Sequence, residues 1–289
     1  MELTPKLKKA VLAAQKSEIT EFFVYKKLAK YTPLVANKKI LNRIADDEMR
    51  HHDFWKSLTK EKVSPSRTKI FLFTFAAHVL GLTFSVRLME RGEDFAQKTY
   101  KKLTKINPHV EQIIKDEEEH EQSLISVLKT KELQYMGSIV LGLSDALVEL
   151  TGALAGLTLA LQNTRLIMIV GLITGIAASL SMAASEYLST KEEDGENPIK
   201  AALITGITYL ITVALLITPF FIATNPFVAL GTSLGIGVII IFLFTFYSAV
   251  ARNLSFKKKF FEMVSISLAV AAINFFIGYV IKQYFGIDA

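Results

Sequence analysis

The sequence has no cysteine among its 289 residues and few prolines. Without thiols the chain cannot form disulfides, zinc–thiolate sites or iron–sulfur clusters, and it has no catalytic cysteine. A signal peptide is also not expected, because the N-terminus passes directly into a charged amphipathic segment. We therefore expect this end of the protein to stay in the cytoplasm.

Charge is scarce in the second half of the chain. Hydrophobic residues make up 51% of the sequence and charged residues 21%, at a mean hydropathy of +0.36. These values coexist because Lys, Glu and Asp are concentrated in residues 1–69 and 87–134, whereas 135–289 is mostly aliphatic. The length allows two domains, and we place them at 1–134 and 135–289.

The net charge of +6 does not indicate a nucleic-acid partner. The cations are spread through acidic helices and membrane-flanking loops, without the aromatic-interleaved basic patch that such binding uses.

The first domain carries two Glu-x-x-His pairs, Glu48–His51 and Glu117–His120. Apolar periodicity predicts helices at about 4–30, 35–60, 69–104 and 108–132, and the pairs fall on the second and fourth. Residues three apart share one helical face. Two such pairs, with one Glu from each of two other helices, form the di-iron carboxylate site of a four-helix bundle.

A repeat supports this interpretation. Glu18 is followed seven residues later by Tyr25, and Glu93 by Tyr100. Each Glu–Tyr pair precedes a helix with Glu-x-x-His, so the domain reads as two copies of one helical hairpin. A lone Glu-x-x-His is more often a solvated face.

This pattern resembles rubrerythrin, within the ferritin-like superfamily. The resemblance implies iron or manganese ligands at Glu18, Glu48, His51, Glu93, Glu117 and His120, with Glu90 as an additional carboxylate; Glu21 has a weaker claim. Carboxylate and imidazole ligands suit these metals. The chain departs from the family in lacking the cysteine-ligated rubredoxin iron.

Residues 70–86 form an apolar run of about 25 Å if helical, just short of a membrane span. Crossing the bilayer there would separate Glu48 and His51 from the other expected ligands. We therefore interpret this run as a buried, membrane-surface or dimer-forming helix.

Five longer apolar segments follow, at about 136–161, 165–189, 200–223, 226–250 and 262–285, and each can span a bilayer. The loops 190–200 and 251–260 hold six cations, whereas the loops on the other side hold only Arg165. The positive-inside rule then predicts a cytoplasmic first domain and an outside C-terminus.

The second domain has carboxylates within its predicted spans. Asp145 and Glu149 lie four apart in the first span, and Met182 and Glu186 in the second. Intramembrane charge is costly and marks transport paths, and a carboxylate–thioether face suits a transition metal. The alternatives are a carboxylate that pairs with a helix end and a methionine that only fills space.

These spans resemble the vacuolar iron transporter family, through the segments 140–149, 151–156 and 181–189. The resemblance implies export of Fe²⁺ or Mn²⁺ from the cytosol against protons, a homodimer, and a pathway lined by Asp145, Met182 and Glu186, with Glu149 a weaker addition. The plant members have a long acidic insert after the second span. Here residues 191–198 are short, and we hypothesise that the ferritin-like domain replaces that insert.

The sequence thus predicts an all-α protein of the cell membrane, with a cytoplasmic ferritin-like bundle followed by five spans, that exports Fe²⁺ or Mn²⁺. The bundle captures, senses or oxidises the metal. One alternative is a membrane-anchored di-iron oxidoreductase that consumes peroxide or dioxygen. Another is a transporter whose bundle is a metal-gated regulator without redox activity.

Overall fold

The computed structural model is all-α over the residues that it describes, 4–91, 104, 107–128, 135–193 and 197–285. The chain divides into two units, residues 1–132 and 133–289. Charged helices form the first unit, and five long apolar helices form the second. The predicted fold class is confirmed.

The described helices of the first unit are α1 (Pro5–Tyr31), α2 (Val35–Thr59), α3 (Arg67–Leu80), α4 (residues 82–91) and α5 (His109–Leu128). Proline opens α1, where its fixed φ and missing N–H suit the first helical position. The chain leaves the helix before Pro33, because proline disfavours the helical conformation in the residue before it.

The predicted continuity of a third helix from 69 to 104 is wrong. Helix α3 ends at Leu80, and Gly81 has a φ of 92°, a left-handed conformation that glycine adopts without a steric penalty. The apolar run at 70–86 is therefore divided into two short pieces. Most of the predicted helix beyond residue 91 lies outside the described residues.

One face of α3 is exposed within the first unit. It carries Phe71, Leu72, Phe75 and Val79, whereas Ile70 and Ala76 are buried. The run is therefore not wholly buried, and the membrane-surface and dimer-forming interpretations stay predictions.

The first unit has two apolar layers with a polar layer between them. Along α1 the order is Val11, Glu18 and Tyr25, and along α5 it is Val110, Glu117 and Leu124, with the outer residues of each trio in the two apolar clusters. Helix α2 runs through the same layers in the opposite direction, through Leu41, Glu48 and Trp55. The antiparallel packing thus brings acidic residues from three helices to one level.

The second unit contains α6 (Met136–Leu161), α7 (Thr164–Glu192), α8 (Pro198–Ile222), α9 (Pro226–Ala251) and α10 (Phe256–Phe285). All five are long and apolar enough to cross a membrane. Asparagine side chains cap the starts of α7, α8 and α9, which satisfies backbone N–H groups that a helix start leaves unpaired. The expected loop 251–260 is shorter than predicted, because α10 already begins at Phe256.

Helix α6 contacts each of the other four helices of the second unit. Its glycines allow close approach: a Cβ added at Gly156 would lie 3.0 Å from the carbonyl oxygen of Asn274 on α10. Gly152, one turn before Gly156, also faces Asn274. Small residues permit such contacts between membrane helices.

Replacing Gly278 of α10 should separate α6 from α10. A Cβ at this position would overlap the backbone of Gly156, and overpacking of this kind costs about 1–3 kcal/mol. We expect Gly278→Ala to lower the melting temperature of the purified full chain in detergent by several degrees. Gly235→Ala on α9 is the control, because nothing lies within 4 Å of its added Cβ. Equal melting temperatures for the two variants would contradict the close contact.

Candidate metal centre

Four buried side chains converge in the polar layer of the first unit. Glu18 of α1, Glu48 and His51 of α2, and Glu117 of α5 each offer a ligand atom, and these atoms all lie within 4.8 Å of one another. His120 of α5 joins them, with its Nδ1 3.4 Å from Glu48 Oε1 and 3.5 Å from Glu117 Oε2. The antiparallel course of α2 and α5 brings the two Glu-x-x-His pairs face to face.

The two central carboxylates each face both histidines. Glu117 Oε1 lies 3.2 Å from His51 Nδ1 and Glu48 Oε2 lies 3.8 Å from the same nitrogen, while their other oxygens face His120 Nδ1. The imidazole rings are 5.9 Å apart between centroids. Nδ1 of His51 and Nδ1 of His120 therefore face the same two carboxylates. Glu18 adds a third carboxylate beside His51.

An aspartate holds the outer nitrogen of each histidine. His51 Nε2 lies 3.1 Å from Asp116 Oδ2, and His120 Nε2 lies 3.0 Å from Asp47 Oδ2. Although burial acts in the opposite direction, hydrogen bonds from Gln112 and His51 hold the pKa of Asp116 below its ordinary value. An ionised Asp116 can only accept, so His51 Nε2–H donates and Nδ1 is directed to the glutamates.

Trp55 and Glu21 complete the surroundings of Glu18. The indole Nε1–H of Trp55, a buried residue, donates to Glu18 Oε1 at 3.0 Å. Burial and the charges of Glu18 and Glu117 raise the pKa of Glu21 to about 8. Glu21 is therefore electrostatically part of the cluster, which the sequence interpretation ranked only weakly.

The electrostatics of the cluster favour positive charge. Burial disfavours imidazolium, but Glu117 and Asp47 outweigh burial and raise the pKa of His120 to about 9. Burial also disfavours the charged form of His51, but the acidic neighbours Glu117, Glu18 and Glu48 outweigh burial and raise the pKa of this histidine. Burial, together with the charges of Glu117 and Glu18, raises the pKa of Glu48. Protons therefore occupy the positions where a cation would be stabilised.

The residues present fit a bound transition metal. Glu48 Oε2, His51 Nδ1 and His120 Nδ1 are buried and form no hydrogen bond within the part of the chain that the structure describes. Buried polar atoms are normally satisfied, and these three point into one group. Carboxylate oxygens and imidazole nitrogens together suit iron or manganese.

The two remaining expected ligands stand apart from this group. Glu90 of α4 is largely buried, and its Oε2 accepts from Arg87 Nη1 at 2.8 Å. It is not one of the four residues whose ligand atoms converge. Glu93 lies outside the described residues, as does Tyr100. A ligand role for Glu90 and Glu93 stays a prediction.

Sequence reasoning missed the two aspartates. Both histidine motifs read Asp-Glu-x-x-His, with Asp47 before Glu48 and Asp116 before Glu117. The repeated Asp was therefore visible, but an acidic residue in a Glu-rich helix carries little information by itself. Each aspartate pairs with the histidine of the other helix, Asp47 with His120 and Asp116 with His51. Only the packing of α2 against α5 reveals this pairing.

The second unit has its own polar residues within apolar helices. Tyr209 of α8 donates to Glu149 Oε2 at 2.8 Å, and Ser138 Oγ donates to Glu186 Oε1 at 2.5 Å. Met182 packs against the apolar core of this unit. Asp145 lies one turn before Glu149 on α6. Sequence reasoning missed Tyr209 and Ser138, because neutral residues on other helices give no spacing signal.

Fold and sites together define an integral membrane protein with a buried carboxylate–histidine cluster in its N-terminal unit. Residues 136–196 and 190–279 match the sequence profile of the VIT family. The membrane-spanning half of the chain is therefore a VIT family domain, which implies metal transport. A comparison with curated proteins gave no match. The rubrerythrin resemblance of the N-terminal unit stays a prediction.

Replacing Asp47 should weaken metal binding. Loss of a carboxylate that orients a metal-binding histidine typically costs 10–100-fold in affinity, so we expect a loss of that size for Mn²⁺ in Asp47→Asn. The fluorescence of Trp55, the single tryptophan of the chain, reports binding in the purified protein. The control is Asp46→Asn, because Asp46 pairs instead with Lys26 at the surface. Equal affinities for Mn²⁺ in the two variants would show that Asp47 does not contribute to metal binding.

Metal affinity should rise with pH between about 6.5 and 8.5. His120 has a raised pKa of about 9, so it is mostly protonated at pH 7 and must lose a proton before its nitrogen can bind a cation. The affinity then grows by up to about tenfold per pH unit for each proton displaced. Calorimetric titration of Mn²⁺ in two buffers of different ionisation enthalpy measures the protons released. A titration without proton release would contradict these raised pKa values.

Proposed function

We propose that the protein exports Fe²⁺, and also Mn²⁺, from the cytoplasm in exchange for protons, with the N-terminal unit as the cytoplasmic intake for the metal. The observation that carries this proposal is the occurrence of Asp145, Glu149 and Glu186 within the helices of a VIT family domain. Carboxylates in a membrane span are costly and usually mark an ion path.

The surroundings of these carboxylates support a path. Glu149 lies near the middle of α6, is exposed in the single chain and accepts a hydrogen bond from Tyr209. A carboxylate facing hydrocarbon would be unfavourable, so this face needs polar cover in the membrane. A second copy of the chain supplies that cover in our proposal, with the path at the contact between the two copies.

The same residues support proton exchange. A carboxylate that binds Fe²⁺ on one side of the membrane and a proton on the other can couple the two movements. Met182 on α7, one turn before Glu186, adds a soft sulfur ligand that disfavours Ca²⁺ relative to Fe²⁺.

For the N-terminal unit we propose a site for two metal ions. Glu48 and Glu117 each direct one oxygen to each histidine, so these two carboxylates would hold metal together with His51 and His120. Glu18 would complete the His51 side, and Glu90 and Glu93 the His120 side. Iron held there would supply one-electron redox chemistry. The residues of the chain hold the ions, orient the histidines and give up protons as the metal binds.

The proposed orientation places this unit in the cytoplasm of a cell-membrane protein. The cations Lys191, Lys200, Arg252 and Lys257–Lys259 lie at one end of the spans, whereas Arg165 and Lys282 lie at the other, and cytoplasmic loops are the cationic ones.

A second candidate is a membrane-anchored di-iron oxidoreductase that consumes peroxide or dioxygen. The buried, histidine-containing cluster favours it, because a site for capture alone gains little from complete burial. Peroxide-dependent turnover by the full chain, without Fe²⁺ flux, would support this function instead. If the N-terminal unit is a regulator without redox activity, a third result is expected. The unchanged protein would show no peroxide or dioxygen turnover, and Glu117→Gln would change the metal concentration at which transport begins.

Replacing the span carboxylates should abolish transport. We expect Asp145→Asn and Glu186→Gln to reduce Fe²⁺ and Mn²⁺ uptake into proteoliposomes by at least about tenfold under an imposed pH gradient, because a neutral side chain removes a charged ligand. Glu193→Gln is the control, since Glu193 is exposed at the end of α7. Normal flux in both span variants would refute the proposed path.

A further inference from the structure

The second unit has a cavity that the proposed transport path does not use. It has a volume of about 240 Å³ and lies between α6, α9 and α10. Asp145, Glu149 and Glu186 do not line it. Its size is below the roughly 300–1,000 Å³ of a pocket that encloses a whole small molecule, so it can take only part of a larger, elongated ligand.

The cavity changes in polarity along its length. Along α9 the lining runs from the exposed Arg252, just past the end of the helix, through Ser248 and Thr245 to Phe244 and Ile241. At 1.5 Å per residue, Ser248 lies about 6 Å and Ile241 about 16 Å from the level of Arg252. The order is a cation, then the hydroxyl groups of Ser248 and Thr245, then apolar side chains, and the Thr245 hydroxyl already donates to the Ile241 carbonyl.

The neighbouring helices follow the same order. On α10 the lining begins with Lys259 in the first turn and continues through Met263 to Ile266 and Ser267, whose hydroxyl donates to the Leu147 carbonyl. On α6, which starts at the same end of the unit, the lining residues are Val140, Ser144, Leu147 and Val148. The cationic end is thus formed by two helices and the apolar depth by three.

The cations at the mouth have no ion-pair partner among the residues that the structure describes. Arg252 and Lys259 are exposed, and neither side chain forms an ion pair with any residue that the structure describes. Glu262 is the one acidic residue in the lining, and it is exposed at the same end. With Lys257 and Lys258 beside it on α10, this end keeps an excess of positive charge.

We propose that this cavity binds an anionic glycerophospholipid. Its phosphate lies between Arg252 and Lys259, its ester region faces Ser248, and one acyl chain enters the apolar depth between α6, α9 and α10. A phospholipid has these groups in this order along its length, and basic pockets between membrane helices bind anionic headgroups. The excess of cations over carboxylate favours an anionic lipid over a zwitterionic one. This proposal does not depend on the transport function.

The test measures lipid retention by the full chain. The purified, delipidated protein is incubated in detergent with dioleoyl phosphatidylglycerol, dioleoyl phosphatidylethanolamine or dioleoyl phosphatidylcholine, and bound lipid is counted by native mass spectrometry. We expect one phosphatidylglycerol per chain, retained roughly tenfold better than either zwitterionic lipid. Equal retention of the three lipids would overturn the proposal.

Two charge variants locate the binding. The double variant Arg252→Gln and Lys259→Gln should lose the preference for phosphatidylglycerol. The matched control, Lys257→Gln and Lys258→Gln, removes the same charge from residues that do not line the cavity and should keep the preference. If both pairs lose it equally, the lipid responds only to diffuse surface charge and the proposed site is wrong.

A third variant tests the cavity without changing charge. Ser248→Leu narrows the space one turn below Arg252, so we expect it to lower retention of phosphatidylglycerol about as much as the Arg252 and Lys259 changes do. Circular dichroism establishes that each variant keeps its helical content. Normal retention in a folded Ser248→Leu protein would place the acyl chain outside the cavity and overturn the proposal.

Discussion

The N-terminal unit depends on the burial of several acidic side chains at one level of a helical bundle. Glu18 and Glu48 are each only 1% exposed, and unpaired buried charge is strongly unfavourable. Apolar layers on both sides hold the helices together, while histidines, aspartates and Trp55 provide polar partners inside. The seven-residue spacing from Val11 to Glu18 to Tyr25 keeps all three on one helical face.

The sequence predicted those features that depend on local spacing. Glu48 and His51, or Glu117 and His120, must share a face because three residues make nearly one helical turn. The five membrane spans could be predicted equally well, because length and hydropathy together identify them. Their observed bounds differ from the predicted ones chiefly at the start of α10.

Features set by tertiary contact could not be predicted in this way. Asp47 reaches the histidine of α5 and Asp116 that of α2, and no periodicity along one helix encodes such an exchange. The contact of Tyr209 with Glu149 is of the same kind. The break at Gly81 was missed for another reason: the apolar residues continue across it, and hydropathy does not report a left-handed backbone.

The two units satisfy buried polar groups by different means. In the first, charged residues bond to one another across helices. In the second, several buried hydroxyls bond to carbonyls of their own helix, as Thr158 does with Leu154 and Thr245 with Ile241. That choice suits a medium without water, where an unsatisfied group is costly. Other hydroxyls of the second unit bond across helices: Ser138 donates to the Glu186 carboxylate, and Thr205 and Ser233 donate to backbone carbonyls of neighbouring helices.

The first turn of α10 carries three consecutive lysines and no acidic residue. The amino end of a helix has a partial positive charge, so each lysine there is unfavourable by a few tenths of a kcal/mol. An anion outside the polypeptide would therefore stabilise the start of α10. Added salt, which weakens most surface ion pairs by screening, should strengthen this turn in neutral detergent, whereas a bilayer rich in phosphate groups makes salt irrelevant to it.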